Sequence, residues 1–562
     1  MTRTRKALAA VAAAGVAALV AGAVLAPPRA LTLRQPDWRP AGTVVRGAFH
    51  VHTTRSDGTG TVEQVAEAAA RAGLQFVVLT DHGDGTRTPD PPRYLSGVLC
   101  LDGVEISTTG GHYAAVGLPA SPYPLGGEPR DVVEDVARLG GFGIVSHPDS
   151  PKAGLAWDGW EAPFDGIEWL NADSEWRNES TLHLARAAAT YPFRPAESLA
   201  SLLDAREGLE RWDRVARTRR VVALAGADAH ARIGTSGRSD PYEGRTLLRL
   251  PSYESAFRTF SIHLTLSNSL SGQPVEDGWA IVEAIRAGHL HTVVEARAAP
   301  AAFEFTAHAG EETAGEGDII RTAGPAVIRL RCNAPVYSFL VLYRDGREVH
   351  RVDRQSLVYA TDQRGTYRAE VHLPVRGRAG VPWIVSNAIV IGAQDDGSTP
   401  SNRPPTVETV QPVEPEAWKS ERDVRSAGEV ERATGGVTLR FRLGRGAAAG
   451  QYSALAAHVP VPASAGAIAF DTMADRPMRI SVQLRAPGGT EGERWQRSVY
   501  VDPASRLVVV PFADMTPTGA TRTRAPRLDA VTSLLFVVDT VNTAPGTSGA
   551  VAFGDVRFVK VR

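Results

Sequence analysis

Between Val44 and Pro251 short apolar runs, at 76–79, 98–104, 142–145, 167–170 and 221–225, alternate with helical patterns. A strand covered on both faces reads as a continuous apolar run rather than an alternation, so this pattern predicts buried parallel strands joined by helices. The first unit is the clearest. Thr61-Val62-Glu63-Gln64 has the form of a capping box, Val62, Val65, Ala66 and Ala69 share one helical face, and Gly73 ends the helix. A closed or nearly closed β/α barrel over 44–300 covers all these strands, and a last helical pattern at 277–287 finishes it.

After Pro300 the period changes to two. Alternating runs at 327–332 and 339–343, the second followed by the turn Arg344-Asp345-Gly346, predict an Ig-like β-sandwich over 301–392. The stretch 393–405 is polar and proline-containing and reads as a linker. Beyond it Val437, Leu439, Phe441 and Leu443 alternate, as do Ile480, Val482 and Leu484, with further runs at 507–510, 534–538 and 551–558. Short strands so spaced predict a β jelly roll over 406–562. The expected fold class is thus multi-domain: a barrel, then a sandwich, then a jelly roll.

The N-terminus carries an address. Arg3, Arg5 and Lys6 precede a charge-free stretch from 7 to 26, the order of an export signal. Twenty apolar residues also suffice to span a bilayer. Pro27 opposes cleavage after Ala26, whereas Ala21-Gly22-Ala23 offers a cleavage site, so both a signal peptide and a signal anchor over 1–30 stay open. Either places the rest of the chain outside the cytoplasm, secreted or anchored, with membrane contact only through this segment. Elsewhere the 562 residues, 43% of them hydrophobic, suffice for several cores. Lys plus Arg (61) nearly cancels Asp plus Glu (62), which argues against a nucleic-acid scaffold role. The two cysteines, Cys100 and Cys332, lie in different predicted domains and read as buried thiols.

The chemistry sits where the apolar runs end. His50-Val51-His52 closes the first, and residues i and i+2 of a strand share a face, so both imidazoles can reach one metal ion. The second run ends in Asp81-His82, the third in Glu105, the fourth in His147, and the run at 221–225 is followed by Asp228-Ala229-His230. In β/α barrels the strand C-termini form one mouth, where such residues converge. Asp57, in a Ser-Asp-Gly loop, can turn back over that mouth, and His112 opens the segment after Glu105. Imidazole and carboxylate suit zinc, manganese and iron, and these donors exceed what a single ion takes, so two or three divalent metal ions are expected.

His50-Val51-His52 with Ser56-Asp57-Gly58, Thr80-Asp81-His82-Gly83, Gly103-Val104-Glu105, Ser146-His147-Pro148 and Asp228-Ala229-His230 resemble, in order, the motifs of the PHP (polymerase and histidinol phosphatase) domain superfamily. The resemblance implies a distorted (β/α)7 barrel and a metal-dependent phosphoesterase acting on a phosphomonoester or phosphodiester, in a phosphorylated small molecule or polymer, through metal-activated water. By resemblance His50, His52, Glu105 and Asp228 hold one ion and form the catalytic set. Glu105 bridges to a second ion on His112 and His147, and Asp57, His82 and His230 hold a third. Asp57 stands where some members have histidine, which leaves open two ions or three.

Two alternatives stay open, a metal-dependent hydrolase of a non-phosphate bond and an extracellular binding or scaffold protein with a structural metal site. The ligand surplus favours an enzyme, since a structural site is normally closed by four ligands. Asp81 reads as a residue that orients a ligand. His289-Leu290-His291 repeats the HxH spelling but follows a helix without acidic partners at later strand ends, and reads as structural. Arg55, Lys152 and Arg232 fit either a phosphate contact or a solvated loop charge. Tyr452, Trp495 and Tyr500 fit sandwich core better than sugar stacking. The closing run 549–561 is similar to galactose-binding-like and carbohydrate-binding modules, which implies a carbohydrate partner for the last domain. The address predicts that a reporter enzyme fused after Ile391 is active outside the cytoplasm, and activity confined to the cytoplasm would rule export out.

Overall fold

The computed structural model describes residues 20, 22 and 24–561, apart from 153, 205, 235–245, 322–323, 375–379, 393–405, 447–449, 490–491, 520 and 522. Most of the predicted export signal and the whole predicted linker therefore lie outside the described residues. Among the described residues no helix is long and apolar enough to cross a membrane. The chain is multi-domain and mostly β, with short helices, and forms two compact units. The first comprises Met1–Gly83, Thr88–Pro119 and Glu128–Asp396, and the second Asp84–Arg87, Ala120–Gly127 and Gly397–Arg562.

In the first unit β1 (Thr43–Val51) runs parallel to β2 (Phe76–Leu79), which runs parallel to β3 (Val98–Asp102). Past Gly103 the chain continues as β4 (Val104–Thr108), antiparallel to β5 (Gly111–Val116), itself antiparallel to β6 (Phe142–Ser146). β7 (Gly166–Asn171) and β8 (Val222–Ala229) follow in parallel, and β8 pairs back onto β1, which closes the sheet. The reversal at β5 follows from length. Only Thr109 and Gly110 separate β4 from β5, whereas a parallel return needs a crossover of a dozen or more residues.

Helix α1 (Val62–Ala72) shows why the β/α rhythm was readable. Thr61 and Gln64 make the capping box reciprocally, Gly73 ends the helix at φ 78°, and Val65, Ala66 and Ala69 are fully buried. Inside the closed sheet Val45, Phe49, Val78, Leu99, Ile144 and Leu224 form the apolar core.

The strands after residue 300 do not stand apart from the barrel. β9 (Ser261–Leu266) pairs with β1, β10 (Leu290–Val293) pairs with β9, and Ile384–Ser386 pairs with β10. Through that pairing Phe339–Arg344, Gly365–His372 and Ile389–Ile391 join the barrel's own sheet. Phe303–Ala309, Glu312–Ala314, Ala326–Cys332 and Ser356–Thr361 form a separate four-stranded sheet. The change of pattern at 300 therefore does not coincide with a boundary between compact units. The physical reason is that β10 is wholly buried, and its backbone groups need a partner strand. The Asn387 amide extends the same join: its Oδ1 accepts from Ala223 N at 2.9 Å, and its Nδ2 donates to Ala223 O at 2.7 Å and Leu290 O at 3.1 Å.

The second unit contains two six-stranded sheets whose strand pairs are antiparallel. Leu439, Phe470 and Phe553 from one sheet and Trp418, Val482 and Phe536 from the other form one core. The Phe536 and Phe553 rings stack at 4.1 Å. Trp495 is fully buried there and donates its indole N–H to Thr523 O at 2.9 Å, so it is core. Tyr452 and Tyr500 are half-buried. Cys100 and Cys332 are buried and unpaired, as expected.

One buried ion-pair group ties the added strands to the helix Arg206–Ala216. Arg368 holds Asp213 in two bonds of 2.6 and 2.7 Å and also pairs with Glu370. Burial pushes the Glu370 carboxyl up, but Arg368 and His372 outweigh it and bring it down to about 2. A depressed carboxylate stabilises the fold fully above its ordinary value of 4.5, and the contribution disappears as pH falls towards 2. Replacing Arg368 with leucine strands two carboxylates, at an expected cost of about 3–5 kcal/mol. Chemical denaturation at pH 7 measures it, and a loss below about 1 kcal/mol would show that solvent reaches the pair.

Candidate metal centre

β1 brings His50 and His52 to the mouth of the closed sheet, but not as a regular strand would. Its register shifts between Ala48 and Val51 against β2, and the β8 register shifts between Gly226 and Ala229 against β1. At these irregularities His50 adopts φ 64° and Asp228 φ 43°, and His147, just after β6, adopts φ 33°. Left-handed backbone at non-glycine residues costs about 1–3 kcal/mol each and persists where the surroundings over-determine it, which is characteristic of functional sites. Here all three side chains reach one cluster.

Glu105 is its centre. Oε1 lies 3.3 Å from His50 Nε2, 3.1 Å from His112 Nδ1 and 2.9 Å from His147 Nε2. Oε2 lies 3.3 Å from His52 Nε2 and 3.2 Å from His82 Nδ1. Asp228 Oδ1 stands 3.5 Å from both His50 Nε2 and His52 Nε2, and 3.4 Å from His230 Nδ1. Asp57 Oδ1 is 3.6 Å from His52 Nδ1, 3.7 Å from His82 Nε2 and 3.1 Å from His230 Nε2. The structure thus brings all nine candidate residues together. Four overlapping sets have donor atoms within 4.8 Å of one another: His52, Asp57, His82 and His230; His50, His147 and Asp228; His50, His52 and Glu105; and His82, Glu105 and His112.

The donor set fits metal ions. His50 Nε2, His52 Nε2 and Glu105 Oε2 are buried without a hydrogen bond, although they face one another, and a cation among them satisfies all three. The atoms behind them fix the imidazoles. Glu168 Oε1 lies 2.6 Å from His50 Nδ1, an arrangement in which Nδ1–H donates and Nε2 keeps its lone pair for the cluster. Glu168 Oε2 accepts from His147 N and Asn171 Nδ2, both at 2.7 Å. His147 Nδ1 faces Leu155 O at 3.2 Å and His230 Nδ1 faces Asp228 O at 2.9 Å, which leaves each Nε2 pointing at a carboxylate. Asp81 takes the orienting role expected of it. Its carboxylate accepts from Thr53 N and Oγ1, both at 2.7 Å, and from Ser56 Oγ at 2.6 Å, and so pins the loop that carries Asp57.

Two glycines allow close approach. A Cβ on Gly58 would meet His52 O at 2.3 Å, and one on Gly226 would meet Glu168 Oε1 at 1.9 Å. Sequence reasoning missed Glu168, whose signal was a single charge inside the run at 167–170. It also missed Tyr253, whose hydroxyl donates to His52 O at 2.8 Å, and for which the sequence carries no signal.

Of the candidate phosphate contacts, Arg55 is committed to Asp90 and Asp102, and Arg232 Nη1 donates to Asp57 O at 3.3 Å. Lys152 has no carboxylate partner within 4.0 Å among the described residues and lines the same cavity as the cluster. His289 and His291 lie outside the four sets. Contrary to expectation each has an acidic partner after a later strand, Asp318 at 2.9 Å and Glu316 at 3.0 Å, which fits the structural reading.

Burial alone would pull the histidines down, but the carboxylates outweigh it. Glu168, Asp228 and Glu105 raise His50 well above its ordinary value, and Asp57 and Asp228 raise His230 to about 9. Burial likewise opposes charge on Glu105 and Asp228, yet the surrounding imidazoles hold both well below the usual carboxylate range. His82 goes the other way, to about 3, because burial and the neighbouring His52 outweigh Glu105. Above the cluster opens a cavity of about 460 Å³, with Asp57, His82, Glu105, His112 and Asp228 in its wall.

No family model matches the chain. Over 143 residues, 23% of its length, it is 27% identical to an uncharacterised protein of Methanocaldococcus jannaschii, of which the match covers 82%. It is also similar to a PHP-like protein of known structure. That protein, from Bacteroides vulgatus, is a two-domain protein containing a predicted PHP-like metal-dependent phosphoesterase; the match covers 64% of this chain and 99% of that one, at 15% identity and a TM-score of 0.30. A family 11 carbohydrate-binding module from Clostridium thermocellum, solved with a mixed-linked tetrasaccharide, matches 27% of this chain and 95% of its own, at 13% identity and a TM-score of 0.23.

A cation entering this cluster must displace protons, and His230 keeps its proton up to about pH 9 when no ion is bound. Ion affinity should therefore rise with pH between 6 and 9, by about tenfold per unit for each proton displaced. Calorimetry of zinc or manganese binding in buffers of different ionisation enthalpy measures the release. An affinity independent of pH would show that the imidazoles are already neutral.

Proposed function

We propose that the first unit is an extracytoplasmic metal-dependent phosphoesterase that hydrolyses a phosphomonoester or phosphodiester. One observation carries the reading: nine buried or half-buried imidazole and carboxylate groups form four overlapping donor sets, two of which share Glu105, more than one ion takes, at the wall of a cavity also lined by Lys152, which has no carboxylate partner within 4.0 Å among the described residues. His50, His52, Glu105 and Asp228 would hold one ion, His112 and His147 with Glu105 a second, and Asp57, His82 and His230 a third. Bound there, divalent ions supply the Lewis acidity that activates water and offsets charge on phosphoryl oxygens. The chain's own residues prepare for it. Glu168 fixes the His50 tautomer, Asp81 holds the Asp57 loop, and Lys152 offers a charge to an anionic substrate oxygen. The export reading is supported by the order of basic and apolar residues at the N-terminus. For the second unit the resemblance of residues 549–561 supports carbohydrate binding.

The test joins metal content to activity. Wild type should carry at least two ions by elemental analysis and hydrolyse generic phosphomonoesters or phosphodiesters. The double change His50→Ala and His52→Ala should lose one ion and at least about a hundredfold in kcat with the fold retained, because groups at a barrel mouth add little to the packed interior. Glu105→Gln should be at least as damaging, since its two oxygens face five imidazoles. His289→Ala should change neither readout. Two bound ions without ester hydrolysis would favour another hydrolytic chemistry, and no bound ion would favour the scaffold reading.

A further inference from the structure

The cavity over the cluster has two unlike walls. One carries Asp57, His82, Glu105, His112, Asp228 and Lys152, whose ammonium is half-buried beside Arg177 and Asp173 of the same cavity and also feels the charges of Asp228 and Asp57. The other is apolar: Leu184 and Ala187 from the helix Thr181–Thr190, Leu199 from Pro195–Ala200, then Leu203 and Phe260. Among the residues that line it, Ile233 and Leu248 are 42% and 54% exposed, so apolar surface also reaches solvent there. A volume of about 460 Å³ is that of a pocket for an organic molecule, larger than a lone phosphate needs. An organic part rich in hydroxyl groups would be desolvated against this wall with few partners, whereas a hydrocarbon part loses nothing there and gains by leaving water.

We infer that the substrate class of this site is a phosphate ester of an apolar alcohol, amphiphilic, with its phosphate towards Lys152 and the metal cluster and its hydrocarbon along the Leu184, Leu199 and Leu203 wall. The inference rests on the phosphoesterase reading and narrows it. In the reaction a water oxygen bonds to phosphorus, the bond from phosphorus to the alcohol oxygen breaks, and the alcohol leaves with a proton. A monoester yields the alcohol and inorganic phosphate. Lys152 neutralises phosphate charge in either ester type, and the apolar wall selects the leaving group.

The experiment compares decyl phosphate, below its micelle concentration, with glycerol phosphate on the metal-loaded full chain, each also as its methyl diester. Decyl esters should be preferred by at least about tenfold in kcat/KM, the discrimination an apolar pocket gives for even one or a few methylene groups. Leu184→Asp and Leu199→Gln, at half-buried wall positions, should shrink that preference by raising KM for the decyl ester. Lys152→Ala should raise KM for all the esters and leave the preference in place. Equal or better turnover of glycerol phosphate would overturn the inference and leave the phosphoesterase reading standing. Hydrolysis of no ester of either kind would remove both.

Discussion

A carboxylate with 1% of its surface exposed has to be compensated from within the protein, and Glu105 is compensated by five imidazole nitrogens within 3.3 Å. Those nitrogens come from four separate places in the chain, the end of β1, which gives both His50 and His52, then His82, His112 and His147, so the sheet must close for them to meet. Much of the first unit's local irregularity answers to that requirement. The left-handed His50, His147 and Asp228, the register shifts in β1 and β8, and the glycine at 226 under Glu168 each break a local rule and each place or admit a group of the cluster.

The antiparallel hairpin serves the same end. Because β5 returns beside β4, His112 stands opposite Ser107, two residues along from Glu105, and its Nδ1 reaches Glu105 Oε1. On the other side of Glu105 an isolated parallel bridge to His82 brings that imidazole to Oε2. A regular parallel barrel would supply one residue from each strand end. The hairpin adds a second donor from a neighbouring strand at almost the same height, which is how one carboxylate comes to face so many nitrogens.

Seven of the nine cluster residues were legible because their signal is positional: a polar, ligand-type residue after a buried apolar run marks a strand end, and strand ends of a closed sheet converge, whereas Asp57 and His112 were reached through the loop after His52 and the segment after Glu105. What carried no such mark stayed hidden. Glu168 lies inside its run rather than after it, and its role depends on a contact to His50 across the barrel. The left-handed turns at His50 and Asp228 fall on residue types that enter that region more often than most, yet nothing in the sequence marks these two among the other histidines and aspartates, and the assembled cluster explains them. Alternation after Pro300 reported which face of each strand is buried, but not which sheet the strand would join. That was decided by the open edge of β10, a tertiary fact.

The remaining buried histidines of the first unit show what separates a metal centre from ordinary buried polarity. His263 lies 2.8 Å from Glu295, His291 lies 3.0 Å from Glu316, and the two rings are 5.2 Å apart, so composition and burial resemble those of the cluster. Yet each imidazole there has a carboxylate of its own at hydrogen-bond distance, and among the described residues these groups form no set of three converging donors. In the cluster the bonds run outwards, from His50 to Glu168 and from His147 to the Leu155 carbonyl, while the inward nitrogens crowd a shared carboxylate at distances that leave His50 Nε2 and His52 Nε2 without a hydrogen bond. Pairing gives each imidazole a carboxylate of its own, and the atoms it leaves without a hydrogen bond, Glu295 Oε2 and Glu316 Oε1, sit on separate pairs and do not converge. Convergence leaves donor atoms facing one another, and only a shared positive charge removes the penalty of burying them together.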